Sequence, residues 1–150
     1  MSKEQLHPKK ILVPLDGSDF SFKAAKYALK IANKANASII CVHSIVNLPY
    51  TEYATAGLVI NQYFEDMKKQ AQEWYNKVNS MAEKVGVKVT AETIIDVISV
   101  ADSIISYAER NNADLIVIGT KGRTGIKKFM LGSVASGVML HAHCSVLVVR

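Results

Sequence analysis

No stretch of this chain stays apolar for the roughly 20 residues that a bilayer-crossing helix needs. Its first ten residues, Met-Ser-Lys-Glu-Gln-Leu-His-Pro-Lys-Lys, hold no apolar core of the kind a secretory signal requires. Neither a membrane span nor export is expected, so the expected location is cytoplasmic. Cysteine is scarce: Cys41 and Cys144 are the only two, which excludes a disulfide-dense scaffold. Both lie in apolar surroundings, in or beside expected strands, and read as reduced, buried, small hydrophobic residues. The sequence leaves a disulfide between them open. Internal repeats and linkers are also missing. The 150 residues therefore read as a single domain, 1–150, long enough to bury its own core. With 49% hydrophobic and 21% charged residues, the balance is that of an ordinary globular chain.

The charge is mildly basic, +5 with a pI near 9.2. Such a balance favours anionic partners without choosing among phosphate ligands, nucleic acid and membrane. Lys121, Arg123, Lys127 and Lys128 crowd one short segment. No basic stripe interleaved with aromatics is present, so nucleic acid is not an expected partner. Lys127 and Lys128 read as solvated surface.

Apolar periodicity orders the elements. Ile11-Leu12-Val13-Pro14-Leu15 is a continuous apolar run, as in a strand covered on both faces, with Pro14 near its end where no ladder donor is needed. Asp16-Gly17-Ser18 is a turn, and Ser18 is an N-cap candidate. Phe22, Ala25, Ala28, Leu29 and Ala32 then recur at helical spacing, and this helix should end between Asn33 and Asn36. Ser38–His43 is the second strand; Asn47 to Gly57 supports no assignment. Tyr63, Met67, Ala71, Trp74, Val78, Met81 and Val85 form one stripe on a long helix, stopped by Gly86. Trp74 and the two methionines of the stripe read as core packing.

Val87–Thr93 alternates apolar and polar residues, as a half-exposed edge strand does. A helix over Ser99–Asn111 should turn Ile104, Ile105 and Ala108 inward, and Asp114–Ile118 is a central strand ended by Gly119. A last helix, Ser133 to about His141, precedes a terminal strand, Val146–Val149. Strict alternation of strands and helices predicts an α/β, Rossmann-like, doubly wound fold: a five-stranded parallel sheet with helices on both faces. The order 3-2-1-4-5 places the apolar first and fourth strands side by side, with a switch point between them where such sheets bind ligands.

Two loops meet at that point: Pro14–Ser18, and the segment from Gly119 to Ser133. The second suits phosphate. Gly119 and Gly122 allow close backbone approach, Gly132 and Ser133 stand where helix amides point outward, and Lys121 and Arg123 supply positive charge. The segment lacks both the Walker A spacing and the dinucleotide Gly-x-Gly-x-x-Gly. It has Gly119-x-x-Gly122, nine residues, then Gly132-Ser133, a pattern that chance places in roughly one such chain in a hundred or fewer.

That spacing resembles the ATP-binding signature of the universal stress protein family. Ile11–Ser18, Ala113–Gly119, Gly132-Ser133-Val134-Ala135 and Cys144–Val149 resemble its other segments, and the likeness runs from Lys10 to Arg150. The resemblance implies that Asp16 contacts ribose or adenine, and that Pro14, Leu15 and Val42 line the adenine pocket. It implies that Ile118, Gly119, Gly122 and Arg123 hold ribose and phosphates. Gly132, Ser133, Val134 and Ala135 would cradle the phosphates, with Mg2+ or Mn2+ bridging phosphate oxygens. A homodimer through the C-terminal strand, 146–149, is also implied. Ser145 stands where the family usually has proline, which should loosen the start of the last strand. Asp96-Val97 replaces a usual glycine, which should alter the start of the third helix.

The expected function is that of an ATP-binding, nucleotide-responsive regulatory or stress-response homodimer, at most a weak ATPase. Asp16 is the one carboxylate expected in the cleft, and fast hydrolysis needs more. Two alternatives stay open: an ATP-dependent hydrolase or transferase using His43 or Asp19, and an interaction module of the family that has lost nucleotide. His141-Ala142-His143-Cys144 resembles a metal-ligand run, but no second Cys/His cluster accompanies it, and no metal site is expected.

Overall fold

Nine elements alternate in the computed structural model, which describes residues 7–47, 57–122 and 130–150. They are β1 (Lys10–Pro14), α1 (Asp19–Ala35), β2 (Ser38–Val46), α2 (Gly57–Glu83), β3 (Val89–Val97), α3 (Val100–Arg110), β4 (Leu115–Gly119), α4 (Ser133–His141) and β5 (Ser145–Val149). The strands form one parallel sheet in the expected order, β3-β2-β1-β4-β5. Alternate side chains feed two cores. Ile11 and Val13 of β1 pack with α1 and α2 through Phe22, Ala25, Leu29, Ala71, Tyr75 and Val78. Leu12, with Ile116 and Ile118 of β4, packs on the other face against Ile104 and Ala108 of α3 and Ala135 and Val138 of α4. Burial on both faces is why β1 and β4 are continuously apolar. Ile11, Leu12, Val13, Ile116 and Val117 are wholly inaccessible to solvent.

Local signals set the helix ends. Ser18 caps α1, its Oγ accepting from the Ser21 amide at 3.1 Å. Asn36 closes the helix in the left-handed region at φ 54°, within the expected range. The long helix begins at Gly57, well before Tyr63, and nothing is described for residues 48–56. Its buried file is Ala71, Tyr75, Val78 and Ala82, with Trp74 and Met81 partly buried beside it. Val85 does not belong to the stripe: it lies beyond the helix end and is exposed. Ile105 is only partly buried, whereas Tyr107 takes an inward position on α3.

The edge strand β3 runs four residues past the expected Thr93. A register shift between Ser44 and Val46 lets Val46 pair with Val97. Tyrosines from both faces hold this strand. The Tyr75 hydroxyl, from α2, donates to the Glu92 carbonyl at 2.7 Å, and the Tyr107 hydroxyl, from α3, donates to Glu92 Oε2 at 2.6 Å. The Asp96-Val97 pair therefore lengthens the strand, and α3 still starts on a regular cap, Ser99 Oγ accepting from the Asp102 amide at 3.2 Å. Ser145 is the first residue of β5, paired with Leu115, so the last strand begins one residue earlier than Val146.

Candidate functional site

At the carboxyl end of the sheet the chain leaves β1 toward α1 on one face and leaves β4 toward α4 on the other. The gap between these exits opens into a cavity of about 500 Å³, a size typical of small-molecule sites.

The β1 side is tied internally. The Leu15 amide donates to the Val42 carbonyl at 2.8 Å, so β1 and β2 stay paired to the edge of the cleft. His43 Nδ1 lies 2.7 Å from the Leu15 carbonyl oxygen, and the His43 ring meets Trp74 nearly edge-on, at 88° and 5.0 Å between centroids. Trp74 in turn covers Gly17, whose φ is +80°; a Cβ there would stand 2.3 Å from the indole. Asp16 Oδ1 accepts from the Ser18 amide at 2.9 Å. Asp16 thus completes the turn before α1 and also lines the cleft, with Oδ2 next to Gly122.

The β4 side is built differently. The Thr120 amide continues the pairing to the Val149 carbonyl at 2.9 Å, and the Gly132 amide returns to the Thr120 carbonyl at 2.7 Å. This closure sets the first turn of α4 beside the end of β4. Gly132 is the N-cap of α4 and makes no side-chain cap hydrogen bond. The first amides of any helix lack carbonyl partners within it, and they carry the positive end of the helix dipole. Gly119 lines the cavity and also lets α1 approach closely: a Cβ there would lie 2.8 Å from the backbone of Phe20.

Pro14, Leu15, Asp16, Val42, Ile118, Gly119, Gly122, Gly132, Ser133, Val134 and Ala135 all line this one cavity. Arg123, with Lys127 and Lys128, lies outside the described residues. Asp19 is exposed at the start of α1 and does not line the cavity, and His43 does. Sequence reasoning missed the far wall: Ser44, Ile45 and Val46 of β2, Tyr63 and Met67 of α2, and Val100 and Ile104 of α3. The second strand runs past His43 to Val46, and the β-branched Ile45 and Val46 are the signal for that extension. Val100 and Ile104 carry no signal separating a cavity wall from a core.

Among the described residues Asp16 is the only carboxylate of the cavity, and no three His, Cys, Asp or Glu side chains gather as a metal cluster. None of the helices described is long and apolar enough to cross a membrane. Both cysteines are free thiols; burial pushes Cys41 up to about 12 and raises Cys144 as well.

Known proteins share this arrangement. The sequence profile of the Universal stress protein family matches residues 7–150. Universal stress protein MJ0531 of Methanocaldococcus jannaschii is 42% identical over 142 residues, covering 95% of this chain and 82% of the relative. The solved structure of hypothetical protein MJ0577 superposes with a TM-score of 0.82 at 26% identity, with 96% of each chain covered. A universal stress protein from Archaeoglobus fulgidus in complex with dAMP shares the fold, with a TM-score of 0.68 at 22% identity over 95% of this chain and 98% of that one. Sequence and architecture agree, and the chain belongs to the universal stress protein family.

Proposed function

We propose that this protein, acting as one domain over residues 1–150, binds ATP in the cleft between the β1 and β4 exits and serves as a nucleotide-responsive regulatory or stress-response protein of the cytoplasm. The observation that carries the reading is the start of α4. The residues of its first turn, Ser133, Val134 and Ala135, line the cavity, and its N-cap, Gly132, makes no side-chain cap hydrogen bond. Such a helix start is an anion site, and a phosphate chain satisfies several amides at once. Lys121 lines the same end and adds positive charge, as Arg123 would from the adjoining loop. The Archaeoglobus fulgidus relative in complex with dAMP supports an adenine nucleotide as the ligand class.

The apolar wall of Val42, Ile118, Val100 and Ile104 then receives the base, with Pro14 and Leu15 flanking it. Asp16 stands between the two ends, where a ribose hydroxyl would reach its carboxylate. The donor set fits Mg2+ or Mn2+ held mainly by phosphate oxygens and water. One carboxylate with no protein cage is the usual provision for magnesium on a nucleotide. When bound, the ion would neutralise phosphate charge.

Turnover should be slow or nil. Asp16 Oδ1 already takes the Ser18 amide, His43 Nδ1 faces the Leu15 carbonyl, and Asp19 is outside the cavity. Asp16 is the single carboxylate among the described cavity residues, a sparse provision for activating water against a terminal phosphate. A homodimer through β5 follows from its place at the sheet edge, paired on one side only among the described residues. Met139 and Leu140 add exposed apolar surface on α4, the helix packed beside it.

Mass spectrometry of the protein as purified, followed by calorimetric titration with Mg·ATP, tests the reading. Wild type should bind, and Gly122→Val, whose side chain would press on Asp16 Oδ2, should bind at least about tenfold more weakly at nearly unchanged stability. No heat with wild type overturns the proposal; several turnovers per second would replace it with an enzyme. Sedimentation showing only monomer at micromolar concentration would remove the dimer.

A further inference from the structure

The four helices share the charge unevenly. α1 carries four lysines against one carboxylate, Asp19. α2 carries three lysines against four acids, α3 one arginine against two acids, and α4 no lysine, arginine or acid. The lysines of α1 are Lys23, Lys26, Lys30 and Lys34, and all four are exposed. At about 3.6 residues per turn they fall within about 80° of the helix circumference, along about 16 Å of its length. Phe22, Ala25, Ala28, Leu29 and Ala32 take the opposite side and are buried, so the stripe points away from the core. None of the four lysines forms an ion pair with a described residue. Lys30 Nζ stands 5.6 Å from the ring centre of Tyr27, an exposed aromatic beside the stripe. Like charges one turn apart repel each other, and an anion laid along the stripe relieves that repulsion.

The chemistry of the stripe selects among anionic partners. Protein interfaces are depleted of lysine and anchored by large aromatics, methionine and arginine. The exposed side of α1 offers only Tyr27 of that kind. Helices that lie on a membrane push apolar side chains into it, and those of α1 are committed to the core. A membrane is also a plane. α1 and α2 cover the same face of the sheet, so a plane resting on α1 approaches α2, whose acids outnumber its lysines. A single nucleic-acid strand is held by stacking its bases on several aromatics, which the stripe lacks. A duplex asks for positive charge along its backbone, and lysine supplies that as a point charge without base-reading geometry. The absence of interleaved aromatics argues against base stacking, not against backbone contact.

We propose that the outer face of α1 docks on the phosphate backbone of a nucleic-acid duplex without reading its sequence. The proposal stands apart from the nucleotide reading of the cleft. Of α1 only the buried Ser21 lines the cavity, and none of the four lysines does.

The test is the anisotropy of a labelled DNA duplex of about 20 base pairs, titrated with the whole protein at several salt concentrations; each phosphate contact contributes about −0.9 to the slope of log K against log salt. Wild type should bind two unrelated sequences equally, with a slope of about −3 to −4. Lys26→Gln combined with Lys30→Gln should weaken binding at least about tenfold at about 50 mM salt and bring the slope to about −2. Lys68→Gln combined with Lys69→Gln removes the same net charge from α2 and should leave the slope unchanged. Glutamine has nearly the helix propensity of lysine, and urea midpoints check that both variants keep the fold. No binding by wild type at low salt, a slope unmoved by the α1 pair, or an equal fall with the α2 pair overturns the proposal. Binding to phosphatidylserine-rich vesicles without binding to duplex also overturns it and makes the partner a membrane.

Discussion

The starts of α1 and α4 both face the carboxyl end of the sheet, yet they are finished in opposite ways. At α1 the Ser18 side chain takes up a first-turn amide, Asp16 takes the Ser18 amide, and Trp74 seals Gly17 from above. At α4 the cap is a glycine without a side-chain cap bond, and its amide is anchored on the Thr120 carbonyl. One helix start carries a side-chain cap from its own N-cap residue; the other has none from its N-cap residue, and its first turn lines the cavity. The difference shows why two structurally equivalent helix ends in one sheet need not be equivalent sites. An anion would compete with the Ser18 cap at α1, whereas at α4 the N-cap residue offers no side-chain competitor.

Breaking the sealed side should produce the largest effect. Gly17→Ala puts a methyl into the Trp74 ring and forces a side chain onto a positive φ, and should cost about 2–4 kcal/mol in urea denaturation. Its counterpart across the cleft, Gly122→Ala, meets only the Asp16 carboxylate tip and should cost less than about 1 kcal/mol while weakening nucleotide binding. Equal stability losses at the two glycines would erase the contrast.

Uncapping comes next. Ser18→Ala should destabilise by about 1 kcal/mol and leave ATP affinity within about twofold if, as proposed, the phosphates lie at the start of α4. A matched fall in affinity would assign phosphate to α1. A smaller change is expected from Tyr75→Phe, which frees the Glu92 carbonyl and Thr93 Oγ1 at the exposed edge: about 0.5–1.5 kcal/mol, with binding unaffected.

The last effect is absent at neutral pH. Burial pushes Cys41 from 9.0, and Tyr75 and Tyr107 from 10.0, up to about 12, and at Tyr107 the bond to Glu92 adds to it. Raised folded-state values mean that the unfolded chain loses these protons first. The contribution of these groups is complete at neutral pH and lost progressively as pH rises through 9.0 toward 12. Denaturation midpoints should therefore be flat from pH 7 to about 8.5 and then decline. The native Cys41 thiol should resist alkylation across the flat range, whereas unfolded protein should label readily.

Much of this was legible in the chain. The apolar runs at 11–15 and 114–118, the helical stripe from Phe22 to Ala32 and the turn at 16–18 specify a doubly wound sheet because each encodes local periodicity. Glycine spacing from 119 to 132 marks, for the same local reason, the segment between β4 and α4 whose described ends line the cavity. The alternation in 87–93 gave the edge strand but not its length. That extension depends on a register shift against β2 and on Tyr75 and Tyr107, which come from helices on opposite faces.

Sequence by itself determined the order of the strands, the two chain exits that flank the cleft and the bare cap of α4, since these follow from hydrophobic period, turn residues and a missing side chain. Only the tertiary structure decided what stands opposite them. The reason that Gly119 must be glycine is the backbone of Phe20; the cover over Gly17 is Trp74; and the hydroxyl paired with Ser44 is that of Ser103. Each of these pairs is distant in the chain, and no periodicity or composition can express a contact that exists only once the helices have docked on the sheet.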